Sequence, residues 1–310
     1  MGDLTFASRE APAVVFVNPS AGGNRARTYL PRISALFSLR RFPVEFIFTS
    51  SVEELESRAR AAIAEGRRVL LAMGGDGTLQ GLVNAACGSD ALLGILPTGG
   101  GNDFAVALGL PRNPLEAAEA VVAGRPRSVD LLRARTADGR ERLYVGGGGV
   151  GLDAEAARHA VAYRRVPGRL RYVAAALRAL REFTPLQVRA EFPGSESPAI
   201  EANVLLAAVL NTPTYGAGIR LAPEAQVDDG ALTTILVKDL SALQVLALVP
   251  RLMSRGDLPE SHVKRVSAKR VRLMADRPCL FHGDGEILGP APIEIEVIPR
   301  AVRVLAPNPR

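Results

Sequence analysis

The chain has 310 residues, more than a single hydrophobic core usually serves, and we therefore expect two domains. Its 38 Lys and Arg against 32 Asp and Glu give a formal net charge of +6. An excess this modest fits an anionic ligand or an anionic membrane surface, but it is also common in proteins that bind neither. We expect no nucleic-acid partner.

Cysteine, histidine and hydropathy patterns exclude several further classes of protein. Cys87 and Cys279 show no C-x-x-C spacing, and no two of the three histidines have a metal-binding spacing. These patterns argue against a disulfide framework or zinc site and fit a reducing cytoplasm. No segment reaches the roughly 18 uncharged apolar residues that a spanning helix needs. The sequence thus predicts a cytoplasmic protein without a transmembrane segment, at most peripheral on the inner face of the membrane.

The first 130 residues alternate between strand and helix patterns, which is typical of a parallel sheet covered by helices. The predicted strands are 13–19, 44–50, 68–73 and 91–97, and the predicted helices are 26–40, 52–66, 78–88 and 114–124. Ligands of such sheets bind at the carboxyl ends of the strands, where three of these strands end in glycine-rich turns.

The second part of the chain is rich in Val, Ile and Leu and indicates an antiparallel β-sandwich. After residues 128–134, the predicted strands are 142–148, 186–192, 200–211, 232–239, 270–275 and 293–299, with helical inserts at about 153–182 and 241–255. The final apolar segment, 301–307, fits either domain.

The turn "GGDGT" joins a buried-looking strand to a helix and lacks the lysine of a P-loop. Gly74, Gly75 and Gly77 offer backbone N–H groups to an anion, and Thr78 either caps the helix or donates its hydroxyl to a phosphate. A carboxylate facing a phosphate needs a cation between them, so we interpret Asp76 as linked to magnesium. The alternative is that Asp76 only caps the helix.

Two further turns have the same layout at the same end of the predicted sheet. "PTGGGNDFA" places Asn102 and Asp103 after a strand, where they either contact a substrate or phosphate or simply cap a helix. "NPSAGGNRA" places Asn18 and a Gly-Gly pair after the first strand. Three such turns at one sheet edge predict a phosphate-binding site.

Two motifs in the second part also have functional and structural interpretations. "GGGGVG" at 146–151 matches G-x-G-x-x-G, but no acidic residue follows about 20 positions on, so we reject a dinucleotide site. "GDGE" places Asp284 and Glu286 two residues apart, and in an extended segment both side chains enter one cleft, where one takes a proton from an attacking hydroxyl. The alternative is a D-G hairpin turn.

Together "GGDGT", "ILPTGGGNDFA", "APEAQVDDGALT" and "GDGE", in this order, resemble the diacylglycerol kinase catalytic-domain family, which includes sphingosine and ceramide kinases. The resemblance covers residues 14–307. It implies an NAD-kinase-like fold: an α/β nucleotide domain of residues 1–130 with 299–310, and a β-sandwich of residues 131–298. The cleft between the two would hold Mg-ATP and a lipid head at a membrane surface.

The resemblance also implies roles for individual residues. ATP would contact the Asn18 turn, Thr49, residues 75–81, and the loop around Gly99 and Gly100. Glu286 would be the general base, with Asp284 as its electrostatic partner. A structural Mg²⁺ would be held by the Asp229 carboxylate and the backbone oxygens of Gln226 and Ala231.

The expected activity is transfer of the ATP γ-phosphate to a lipid hydroxyl, most simply that of diacylglycerol or a related lipid. The family has Asn-Glu where Gln80-Gly81 stands here, which leaves a catalytically silent nucleotide- or lipid-binding regulator as an alternative. NAD kinase shares GGDG but does not explain the last two motifs. The arginine-rich segment 163–183 is either a membrane-contacting helix or a core helix with a basic solvated face.

Overall fold

The computed structural model describes residues 11–152, 183–216, 218–254 and 258–307, in two compact units. The first unit comprises Met1–Leu131 and Pro299–Arg310, and the second comprises Leu132–Ile298. The predicted insert at 153–182, with nearly all of the arginine-rich segment, lies outside the described residues.

The first unit contains a parallel sheet, as predicted. Its strands lie in the order β2-β1-β3-β4, and the C-terminal part of β15 pairs with β4. Their bounds are β1 Ala13–Val17, β2 Val44–Phe48, β3 Val69–Gly74, β4 Leu92–Pro97 and β15 Ile293–Ala306. Every residue of β1, β3 and β4 is buried, which explains their continuous apolar runs, because helices cover both faces of such sheets.

Five helices follow the strands of this unit: α1 Ala21–Leu39, α2 Val52–Ala64, α3 Asp76–Ala86, α4 Asp103–Ala107 and α5 Pro114–Ala123. Local signals set several starts. The Ser51 hydroxyl accepts a hydrogen bond from the Glu54 N–H and caps α2. Asn113 caps α5, with Pro114 in the first turn.

The second unit is an antiparallel β domain, also as predicted. Strand β9 lies beside β7, β8 and β10, and β8 continues through β12 to the N-terminal part of β15. The bounds are β5 Arg125–Thr136, β6 Glu141–Tyr144, β7 Gly147–Gly151, β8 Leu186–Glu191, β9 Ile200–Leu210, β10 Leu232–Lys238, β11 Val263–Ala268, β12 Arg270–Ala275, β13 Leu280–Gly283 and β14 Glu286–Pro290, with helix α6 at Ala242–Ser254.

Three details differ from the sequence-based expectation. The predicted strand 142–148 is two strands, because β6 ends at Tyr144 and β7 begins at Gly147. The strand β11 was not predicted, and the hairpin β13–β14 corresponds to the alternative interpretation of "GDGE", a D-G hairpin turn. The "GGGGVG" run forms most of β7, which pairs with β9 and β13, so it is not a strand-to-helix turn.

Candidate functional site

The three glycine turns of the first unit contact one another directly. Asn18 Nδ2 donates to Thr78 Oγ1 at 3.5 Å, which joins the first turn to the GGDGT turn. The Thr98 and Gly99 amides donate to the Gly74 carbonyl at 2.9 and 3.1 Å, which joins the GGDGT turn to the PTGGG turn. The predicted convergence of the turns at one sheet edge is therefore present.

Glycine is required where the turns meet. A Cβ on Gly99 would lie 2.4 Å from Gly75 Cα, and a Cβ on Gly22 would lie 2.0 Å from the Thr98 carbonyl oxygen. These separations are too short for any side chain, so the turns pack backbone against backbone. The backbone of the turns is thereby gathered in one small glycine-rich region, the kind of surface on which proteins bind anions.

Asp76 connects two of these turns and caps a neighbouring helix. Its Oδ2 accepts a hydrogen bond from the Asn102 backbone N–H at 2.8 Å, and the Asp103 and Phe104 N–H groups also donate to the carboxylate. Asp76 lies in the first turn of α3, yet it caps the N-terminus of α4. A capping role was the alternative interpretation for Asp76, but the helix that it caps is α4 and not its own helix, α3. The magnesium role of Asp76 stays a prediction.

Burial and the nearby Asp103 carboxylate raise the pKa of Asp76 from 3.8 to about 6, against the opposing effect of the backbone donors. The carboxyl group is thus half-buried and close to other acidic charge. A bound cation would lower that pKa.

The remaining predicted nucleotide residues lie at the same strand ends. Thr49 follows β2, is buried, and donates its N–H to the Val17 carbonyl at 3.0 Å. Gly77 lies beside the buried Thr78 in the first turn of α3, whereas Gly100 is exposed. The buried Thr98 Oγ1 has no hydrogen-bond partner among the described residues. An orphaned hydroxyl beside clustered backbone N–H groups fits a phosphate-bearing ligand.

Gly81, in the pair that departs from the family pattern, lies where α3 packs on α2. A Cβ on Gly81 would lie 3.1 Å from Val52 Cγ1 and 3.2 Å from Leu55 Cδ2, both on α2. Gln80 is buried as well. These two positions therefore contribute to the contact between α2 and α3.

Asp284 does not extend into a cleft beside Glu286. Asp284 and Gly285 have φ values of 49° and 94° and form the two-residue turn of the β13–β14 hairpin, so the expectation of an extended segment was wrong. The Asp284 carboxylate is 8% exposed and accepts hydrogen bonds from the backbone N–H groups of residues 145, 146 and 147, at 2.7, 2.9 and 3.2 Å.

Two further side chains hold the same glycine segment from its carbonyl side. Asn211 Nδ2 donates to the Val145 carbonyl at 3.1 Å, and the Asn211 backbone N–H donates to the Gly146 carbonyl at 2.8 Å, with the Thr212 hydroxyl shared between the Gly146 and Thr214 carbonyls at 3.2 and 2.9 Å. Both side chains are fully buried. Residues 145–147 are thus fixed on both sides. Sequence reasoning missed this set because its partners are backbone groups far away in the chain.

Glu286 is the first residue of β14 and is exposed. Its backbone pairs with Gly283 across the turn. The turn held by Asp284 therefore fixes where the Glu286 backbone begins.

The predicted Mg²⁺ ligands lie in the exposed turn before β10. Asp229 Oδ1 accepts a hydrogen bond from the Ala231 N–H at 3.0 Å, and Gln226 is exposed. In the described part of the chain, no three His, Cys, Asp or Glu side chains cluster as a metal site. A cation held by one carboxylate and two backbone oxygens would keep several waters, which fits the preference of Mg²⁺ for oxygen.

One cation beside the glycine turns was also missed. Arg25 Nη1 donates to the Gly99 carbonyl at 3.4 Å. The turn "NPSAGGNRA" contains this arginine, but the sequence does not show that its side chain reaches the PTGGG turn, because that contact depends on how the turns pack.

Family models match both units. Residues 12–134 match the diacylglycerol kinase catalytic domain, and residues 147–306 match the YegS C-terminal NAD kinase beta sandwich-like domain. A diacylglycerol kinase of Mycobacterium tuberculosis (strain CDC 1551 / Oshkosh) is 31% identical over 94% of each chain, and one of Bacillus subtilis (strain 168) is 25% identical over 96% of each.

The fold agrees with these matches. A crystal structure of a diacylglycerol kinase from Bacillus anthracis str. Sterne superposes with a TM-score of 0.72 at 20% identity, covering 96% of this chain and 97% of that one. The fold and the sequence matches define a lipid kinase. This chain belongs to the diacylglycerol kinase family. Within the described residues, no helix has the length and apolar character to cross a membrane.

Proposed function

We propose that this chain is an ATP- and Mg²⁺-dependent kinase that transfers the γ-phosphate to the hydroxyl of diacylglycerol or a related lipid at a membrane surface. The observation that carries the proposal is the direct contact between the three glycine turns, in the unit that matches the diacylglycerol kinase catalytic domain. Relatives named diacylglycerol kinase support the substrate class.

ATP would bind at the mouth of these turns. The backbone N–H groups of Gly75, Gly77 and Gly100, the backbone of Gly99, and the side chains of Asn18, Thr49, Thr78, Asn102 and Asp103 would surround its phosphates and ribose. Asp76 would keep the PTGGG turn in place through its bond to the Asn102 N–H. Mg²⁺ would neutralise phosphate charge during transfer, and a structural Mg²⁺ would be held at Gln226, Asp229 and Ala231.

Glu286 is the proposed general base, because its carboxylate is exposed and follows a fixed turn. It would accept the proton of the lipid hydroxyl as that oxygen attacks the γ-phosphate. Asp284 would act as a positioning residue, since its carboxylate accepts three backbone N–H groups and is mostly buried.

The test combines labelled ATP, a panel of extracted lipids and two variants. The wild type should yield a labelled organic-soluble product with one lipid of the panel. Glu286→Gln should lose about 10²- to 10⁴-fold in rate with an unchanged thermal unfolding midpoint, because only a proton acceptor is removed. Asp284→Asn should lose rate and also unfold at a lower temperature, because an amide cannot accept all three backbone donors.

Near-full activity of Glu286→Gln would refute the general-base assignment. If no lipid of the panel gave a labelled product, the proposed lipid kinase activity would be refuted. If Asp284→Asn unfolded like the wild type, its positioning role would be wrong.

A further inference from the structure

Arg25 carries a positive charge at the meeting point of the glycine turns. It is half-buried, and among the described residues its guanidinium makes one hydrogen bond, a long one of 3.4 Å to the Gly99 carbonyl. The Tyr29 ring lies 6.0 Å from the guanidinium carbon and limits its position on one side. The positive charge of Arg25 therefore lies against the PTGGG turn.

No described carboxylate lies within ion-pair distance of Arg25. Other arginines of the same unit do have such partners, for example Arg58 with Glu54 and Arg67 with Glu45, both at 2.9 Å. Among the described residues, this half-buried cation beside the PTGGG turn therefore has no carboxylate to neutralise it. That combination favours an anionic ligand.

The backbone of the first turn fixes this position. Gly22, Gly23 and Asn24 have successive left-handed φ values of 58°, 68° and 74°. Gly22 is pressed against the Thr98 carbonyl, where a Cβ would lie 2.0 Å from the oxygen. The chain enters the regular part of α1 at Arg25, directly beside Gly99.

The composition of the first unit adds a second argument. Residues 1–131 and 299–310 contain no lysine, because the lysines of the chain are Lys238, Lys264 and Lys269. Any side-chain cation that this unit offers to a phosphate must therefore be an arginine. The planar guanidinium suits two phosphate oxygens at once.

We propose that Arg25 binds a phosphate group of the nucleotide and supplies the charge that a P-loop lysine supplies elsewhere. The proposal rests on the proposed ATP site. On binding, the guanidinium exchanges its long bond to the Gly99 carbonyl for charge-assisted bonds to phosphate oxygens, with the orphaned Thr98 hydroxyl nearby in the same turn as a further donor.

The experiment measures displacement of a fluorescent ATP analogue by ATP and by adenosine. The proteins are the wild type, Arg25→Gln, Arg25→Lys and the control Arg27→Gln, which changes an exposed arginine two residues away. Arg25→Gln should weaken ATP binding about 10- to 100-fold and leave adenosine binding unchanged. Arg25→Lys should recover part of the loss, and Arg27→Gln should change ATP affinity less than about 2-fold.

Equal ATP affinity of Arg25→Gln and the wild type would overturn the inference while leaving the proposed kinase intact. Equal losses for ATP and adenosine would also overturn it, because they would show a structural defect. A wild type that binds no ATP would refute the proposed function and this inference together.

Discussion

At the scale of residues, the aspartates of the two D-G motifs have the same structural role, since both accept hydrogen bonds from backbone N–H groups. Asp76 accepts backbone N–H groups at the start of α4, and Asp284 accepts those of residues 145–147. Each carboxylate holds backbone at one end of a glycine-rich run, residues 102–104 after the glycines 99–101 and residues 145–147 at the start of the glycines 146–149. Such segments need an outside acceptor, because buried N–H groups without a partner are costly.

Asp76 predicts a pH-dependent stability. With a folded pKa of about 6 against 3.8 unfolded, the folded chain binds this proton more tightly. Its contribution to the free energy of unfolding therefore falls as the pH rises from about 4 to 6, by up to about 3 kcal/mol. Asp76→Asn removes the ionisation, so its unfolding midpoint relative to the wild type should be higher at pH 7.5 than at pH 4.5.

The control is Asp90→Asn, whose side chain is 80% exposed and pairs with Arg68. Its midpoint relative to the wild type should not rise between pH 4.5 and 7.5. A pH-independent difference between Asp76→Asn and the wild type would show that burial does not raise this pKa.

The sequence located these aspartates but not their partners. Asp76 was expected at the mouth of the sheet and lies there, because a strand pattern, glycines and a helix pattern specify the turn. Asp76 accepts a hydrogen bond from the backbone N–H of Asn102, 26 residues further along, and residue types do not predict this bond because every residue except proline has such an N–H. Likewise, Asp284 suited both an extended segment and a hairpin turn, and only the pairing of β13 with β14 decides between them.

At the scale of elements, the packing of turn against turn gives a matched pair of variants. Gly99→Ala would place a methyl group 2.4 Å from Gly75 Cα, whereas a Cβ on Gly100 meets nothing within 4 Å. Gly99→Ala should cost about 1–3 kcal/mol of unfolding free energy and weaken ATP binding, because the turns must separate. Gly100→Ala should stay within about 0.5 kcal/mol of the wild type. Denaturant unfolding measures both, and equal costs would contradict the packing.

Strands and helices were predictable where hydropathy is periodic. β1, β3 and β4 are continuous apolar runs, and the alternation in residues 293–298 identified the start of β15. β11 was missed because "VKRVSA" places two basic residues within a short strand. β13 and β14 were not predicted as strands because they are only four and five residues long. The "GDGE" motif between them was interpreted first as a pair of catalytic carboxylates.

At the scale of the whole molecule, the chain passes between its units in two strands, β5 and β15. The first part of β15 pairs with β12 in the second unit, and its last part pairs with β4 in the first. Two separate stretches of sequence therefore build the first unit, and its sheet is complete only when the last residues of the chain have joined it.

Removal of the last strand segment should unfold the first unit selectively. A chain ending at Ile298 loses the pairing of Val304 with Leu93, the burial of Leu305, and the Arg300 N–H bond to Asp130 at 2.7 Å. Burial of two such side chains contributes several kcal/mol, so the unfolding midpoint should fall by about 10 °C or more, with loss of ATP binding. A chain ending at Pro307 keeps all three features and should match the full chain in both measurements. If the two shortened chains unfolded at the same temperature, the last strand would not be part of the cooperative core of the first unit.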